Sequence, residues 1–100
     1  MNSDEIEQEI QDKGLTAERV TPERIEGAIV GEDYYVFPGT TVTVALLKLG
    51  NGFTVVGESA CARPENFDAA LGRKIAKDNA KNKIWALEGY LLKQRLYEQR

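Results

Sequence analysis

Residues 66–98 read NFDAALGRKIAKDNAKNKIWALEGYLLKQRLYE, a stretch without proline and with glycine only at Gly72 and Gly89. Leu71, Ile75, Asp78, Asn82, Trp85, Gly89, Leu92 and Leu96 step by four and three, the spacing of a heptad seam with polar residues at its middle. A second stripe, Ala76, Ala80, Ile84, Leu87 and Leu91, lies more than a third of a turn away. The spacing predicts one long helix over 66–98, opened by Pro64 and Glu65 and capped by Asn66 or Asp68. A helix with two apolar stripes is covered on two sides. Its length makes the same point. Some 32 helical residues span roughly 50 Å, whereas a compact chain of this size has a radius of gyration of about 13 Å. The helix therefore projects, bends at a glycine, or lies beside a second copy. The last option satisfies both constraints, so a homodimer or higher homo-oligomer is expected.

Upstream the period changes to two. Asp33 to Phe37 is aromatic and β-branched, and Pro38-Gly39 is a turn pair. Thr40 to Leu49 places Val42, Val44 and Leu46 on one face and Thr41, Thr43 and Ala45 on the other. Gly50-Asn51-Gly52 follows, and Asn-Gly suits a hairpin turn because both residues tolerate positive φ. Phe53 to Ala60 is the return strand, with Gly57 marking a bulge or a close approach. Residues 33–61 thus form a three-stranded antiparallel meander. In front of it, 4–13 is a short helix with only Ile6 and Ile10 to bury, stopped by Gly14. Thr21-Pro22-Glu23 opens a second helix, with Ile25, Ala28 and Ile29 as its stripe and Gly31 as its end. The expected fold is α+β in a single domain over 1–100: an acidic helical segment at 1–31, the meander, then a long helix that mediates dimerisation.

Composition narrows the chemistry. The chain has 100 residues, no histidine and one cysteine, Cys61. The commonest general base is absent, a Cys–His pair is impossible, and so is a zinc site of Cys and His type within one chain. No arrangement of carboxylates, lysines or tyrosines demands catalysis. The expectation is a protein that is not an enzyme, needs no metal or cofactor, and works in a reducing cytoplasm. No run free of charge and proline is longer than Gly39 to Leu47, too short for a membrane span, and the acidic Met1–Glu5 start predicts no secretory signal.

The net charge of −3 hides a split, net −7 over residues 1–33 and net +4 over 34–100. Lys74, Lys77 and Lys81 fall on one helix face, with Arg73 and Lys83 near, and Asp78 is the one acid at helical spacing. Such a stripe is either a solvated surface or a place for phosphates, ample for one nucleotide and small for duplex DNA. Asn82, inside the seam, fixes helix register or meets a ligand. Trp85 belongs to the core or stacks on a base, and Cys61 reads as a small apolar residue at a strand end.

The run Asn51 to Cys61, then Pro64 to Asp68, then Gly72 to Ala76 and Asn79 to Leu92, resembles a family of small tailed-phage proteins. These are named for gene product forty-nine of phage N-four and gene product sixty-six of phage Sf-six. The resemblance runs from Gly14-Leu15-Thr16 and Thr21-Pro22 to the last helix. It implies a phage or prophage origin, and with it the cytoplasm of a bacterial host, and carries over no catalytic residue. A meander followed by long dimerising helices is also similar to the Thoeris anti-defence sponges, phage proteins that trap cyclic nucleotide immune signals without cleaving them. The expected function is therefore binding, with Arg73, Lys77, Lys81 and Lys83 on phosphates, Asn82 on a base edge or ribose, and Asn66 and Phe67 closing the pocket. The rival is a host-protein interaction module, and behind it a nucleic-acid-binding protein.

Overall fold

The structure, a computed structural model, describes residues 3–99; Met1 and Asn2, the start of the acidic segment, lie outside them. Helix α1 spans Ser3–Asp12, α2 Pro22–Ala28 and α3 Ala69–Glu98. Between α2 and α3, strands β1 (Ile29–Val36), β2 (Thr43–Leu49) and β3 (Thr54–Ser59) form one antiparallel sheet in the order β1-β2-β3. A 3-10 turn at Pro64–Asn66 leads into α3. The α+β architecture and its long last helix are as expected.

Local chemistry sets the helix starts. Thr21 Oγ1 accepts from the Arg24 N–H at 3.2 Å, and Pro22 sits where no amide partner is needed. Asp68, and not Asn66, caps α3, its Oδ1 accepting from the Leu71 N–H at 2.9 Å. At the other end of α2, the expected stop at Gly31 comes early. The helix ends at Ala28 because Ile29 and Val30 join β1, with an irregularity in the pairing between Ile29 and Gly31. The hairpin turn also differs. Among the described residues no side-chain-bearing residue has positive φ, and only Gly52 of the turn does, at +90°. The Gly52 N–H donates to Leu49 O and the Leu49 N–H to Phe53 O. This is a three-residue loop closed by glycine, not a two-residue Asn-Gly turn.

Of the two faces that β2 alternates, the covered one carries Thr43 and Ala45 and the other carries Val44 and Leu46. Thr43, Ala45, Leu47 and Leu49 are buried beneath α3, together with Val55 and Gly57 of β3. Val44 and Leu46 face away, beside Tyr35 and Val56. The reason is the helix. Ala76 and Ala80 press their backbone onto the sheet at Gly57, where a Cβ would lie 2.2 Å from Ala80 N, so the covered face is the one with small residues. Ile25, Leu47, Ile84, Leu49, Val55 and Ala80 form the core, with Val20, Ala28, Ile29 and Trp85 packed around it. Burying each large side chain among them is worth about 1.5–3 kcal/mol.

Two predictions arise here. The Thr43 hydroxyl is fully buried and has no hydrogen-bond partner. An unsatisfied buried hydroxyl costs about 1–3 kcal/mol, so Thr43→Val is expected to raise the melting temperature; a fall would show that the hydroxyl is satisfied in solution. Helix α1 touches the body through Glu7 and Arg19 and leaves Ile6 exposed. Removing residues 1–13 is expected to leave thermal unfolding cooperative, and loss of the transition would make α1 integral to the core.

Candidate functional site

Open grooves flank α3, and two of them are lined mostly by apolar side chains. The first, about 430 Å³, lies between the N-terminal half of α3 and the segment running out of β3. The Asp68 cap and the 3-10 turn bring Asn66 and Phe67 to its rim, while Leu71 and Ile75, three and seven residues beyond the cap, wall it from α3. Thr41, Ser59 and Asn79 supply polar groups. The Thr41 hydroxyl donates to Cys61 O at 2.7 Å and the Ser59 hydroxyl to Gly72 O at 2.7 Å, which leaves their lone pairs as acceptors. Asn79 Nδ2 donates to Glu58 O at 2.7 Å, leaving its carbonyl and one N–H. Glu58 and Asp68 add carboxylates, and among the described residues no lysine or arginine lines the groove. Cys61 is half-buried on its wall, its thiol donating to Arg63 O at 3.3 Å.

The basic residues lie elsewhere. Strand alternation turns Glu32 and Tyr34 of β1 to the same side of the sheet as α3. Lys77 reaches Glu32 at 3.0 Å and Glu26 of α2 at 4.0 Å, and Lys81 reaches Glu26 at 2.5 Å. Both lysine side chains are only about a quarter exposed, at 26% and 24%. The acids that neutralise this part of the stripe come from 45 to 55 positions away in sequence, where helical spacing gives no signal of them. Arg73, Asn82 and Lys83 are exposed on α3, outside the first groove. One chain therefore brings Asn66 and Phe67 together and leaves Arg73, Lys77, Lys81, Asn82 and Lys83 apart from them. Trp85 packs on the core cluster. The residues that sequence reading passed over are Asn79, Asp68 and Thr41. Asn79 follows Ile75 by four residues on the helix face that walls the groove, and that periodicity was the available signal.

The acidic partners set the electrostatics of the basic flank. The Lys77 ammonium, and then the Tyr34 hydroxyl at 2.8 Å, hold the Glu32 carboxyl below its ordinary value. Burial, and then Glu32, push the Tyr34 phenol up to about 12. In the unfolded chain that phenol ionises near pH 10. Stability held below pH 10 is therefore expected to fall as pH rises from about 10 toward 12. Tyr34→Phe should flatten the melting temperature over that window. An unchanged profile would show that the phenol is not held protonated by the fold.

Among the described residues no helix is long and apolar enough to cross a membrane. No curated protein and no solved structure matches the chain. A family model described as phage protein (N4 Gp49/phage Sf6 gene 66) family matches residues 20–96. The match takes in α2, the whole meander, the capping turn and nearly all of α3, which are the elements that build both grooves, and it leaves out α1. The chain belongs to the N4 Gp49/phage Sf6 gene 66 family of phage proteins.

Proposed function

We propose that this phage protein acts by binding, and that the first groove takes the base and sugar of a nucleotide signal, sequestering it without cleavage. The observation that carries the reading is the groove's lining: a half-buried Phe67 ring, two amides, two hydroxyls and two carboxylates around about 430 Å³. An aromatic face stacks on any base, amides read base edges, and carboxylates and hydroxyls accept from ribose. Capture of this kind needs fixed polar groups in an apolar cleft and no general base, which suits a chain without histidine. The phosphates stay at the open side of the groove, since Lys77 and Lys81 are held by Glu26 and Glu32.

Calorimetry with cyclic ADP-ribose isomers and cyclic oligonucleotides tests this. Phe67→Ala removes a stacking contact worth about 1–3 kcal/mol, so binding is expected to weaken by roughly 5–150-fold. Intact binding by Phe67→Ala, together with loss in Lys77→Glu/Lys81→Glu, would move the site to the basic flank. Absence of heat with every nucleotide would favour a second reading, a host-protein contact. The sheet face away from α3 supports that alternative: Tyr35, Phe37, Leu46 and Val56 are exposed on or beside it, Tyr35 and Phe37 edge to face at 4.9 Å.

A further inference from the structure

The stripe that seats α3 on the sheet outlasts the sheet. Ala76, Ala80 and Ile84 are buried, and the same helix face continues as Leu87 and Leu91, with Tyr90 beside them, past the tip of the β2–β3 hairpin. From Leu87 to Glu98 the helix runs on for about 18 Å. Tyr90 is 70% exposed, Leu91 56% and Phe53, at the hairpin, 54%. These side chains, with Leu49 and Ala28, line the second groove, about 670 Å³ and mostly apolar. Its charged lining residues are Glu23, Arg24 and Glu88, and Arg24 Nε meets Glu88 Oε2 at 3.2 Å.

The total surface leaves room for a second copy over this groove. A folded monomer of 11.1 kDa is expected to expose about 5,700 Å², whereas this chain exposes 7190 Å². The excess, roughly 1,500 Å², is above the ~800 Å² that each partner gives up in a standard complex and within the range of obligate homodimers. The radius of gyration, 16.2 Å, departs from the compact value in the same sense. An apolar, aromatic-bearing centre with a paired polar rim is the anatomy of a protein interface. The groove and the projecting helix that would fill it stand side by side on one molecule, so a two-fold axis lets each copy's overhang enter the other's groove. The heptad seam is less suited. Its Trp85 packs on the core, its Leu92 lines a groove together with Val20, and Asp78 and Asn82 break what remains.

We infer that the second groove is a homodimer interface, formed by Leu87, Tyr90 and Leu91 of α3 with Phe53 of the hairpin, and occupied by the same surface of a second copy. Light scattering on the eluting protein at ~20 µM, a concentration that populates a micromolar dimer, is expected to give twice 11.1 kDa. Leu87→Glu/Leu91→Glu is expected to elute as a monomer with its helical dichroism retained, dimerisation weakened at least ~100-fold. Ile75→Glu, which alters the first groove, should remain dimeric. A monomer at ~100 µM for the unmodified protein, a dimer in the double variant, or dissociation caused by Ile75→Glu would each overturn the assignment. Should the double variant not fold, the unmodified protein decides: its melting temperature rises with protein concentration if it is a dimer, and invariance over a hundredfold range rejects the interface. The inference is independent of the nucleotide reading, since a dimer that binds no nucleotide satisfies one and defeats the other.

Discussion

Gly57→Ala is expected to remove about 3 kcal/mol or more of stability, the largest loss from a single methyl anywhere in the fold. The Cβ would lie 2.2 Å from Ala80 N, 2.4 Å from Ala76 O and 2.8 Å from Ala80 Cα. All three are backbone atoms of α3, so no side chain can rotate away. The helix has to lift, and lifting it opens the contacts of Ile84 and Ala80 with Leu47 and Val55. The melting temperature should drop by roughly 12–24 °C for a domain of this size. Denaturant titration is the direct check, and a cost below about 1 kcal/mol would show that α3 sits farther from the sheet than described. Gly89, with nothing within 4 Å of its Cβ, is the contrast: Gly89→Ala is expected to stabilise by about 1 kcal/mol through helix propensity.

The second large effect is expected at Ile84. It is fully buried, the last residue of the α3 stripe to be so, and it joins Ile25 of α2 to Leu47 and Val55 of the sheet. Ile84→Ala removes three carbons from a site enclosed by three elements that cannot collapse together, so the loss should fall at about 3–4 kcal/mol. Ile75→Ala, on the same helix but 43% exposed, should cost less than about 1 kcal/mol. The pair, measured by the same denaturant titration, tests whether the core lies under the second stripe and not under the heptad seam. Similar costs at both positions would contradict that placement.

The elements were legible in the sequence because their signals are local. Thr21-Pro22, Gly52 and Asp68 act within a few residues, and the 3.6-residue period of α3 persists along its length. What the sequence left open was which of two apolar faces of β2 is covered. Val42, Val44 and Leu46 are the bulkier set, and bulk points to a core. Yet the covered face is chosen by how closely a helix can approach, and Thr43, Ala45 and Gly57 permit an approach that Val44 and Leu46 do not. The candidate site was half legible for a related reason. Asn66 and Phe67 follow from the break before α3, whereas the partners of Lys77 and Lys81 are supplied by α2 and β1, brought near by the packing of the whole domain.

The bond from Asn79 to β3 also bears on how the protein stays apart from its neighbours in a crowded cell. Hydrogen bonding between Leu49 and Phe53 fixes the ladder, so Val55, Gly57 and Ser59 pair with β2 while Thr54, Val56 and Glu58 turn their backbone groups outward. An outward row of this kind templates edge-to-edge aggregation. Asn79 Nδ2 occupies the Glu58 carbonyl at 2.7 Å, which takes the acceptor at that end of the row away from any incoming strand. The helix that covers one face of the sheet thus also caps part of its edge, and a single amide side chain works against the growth of fibrils.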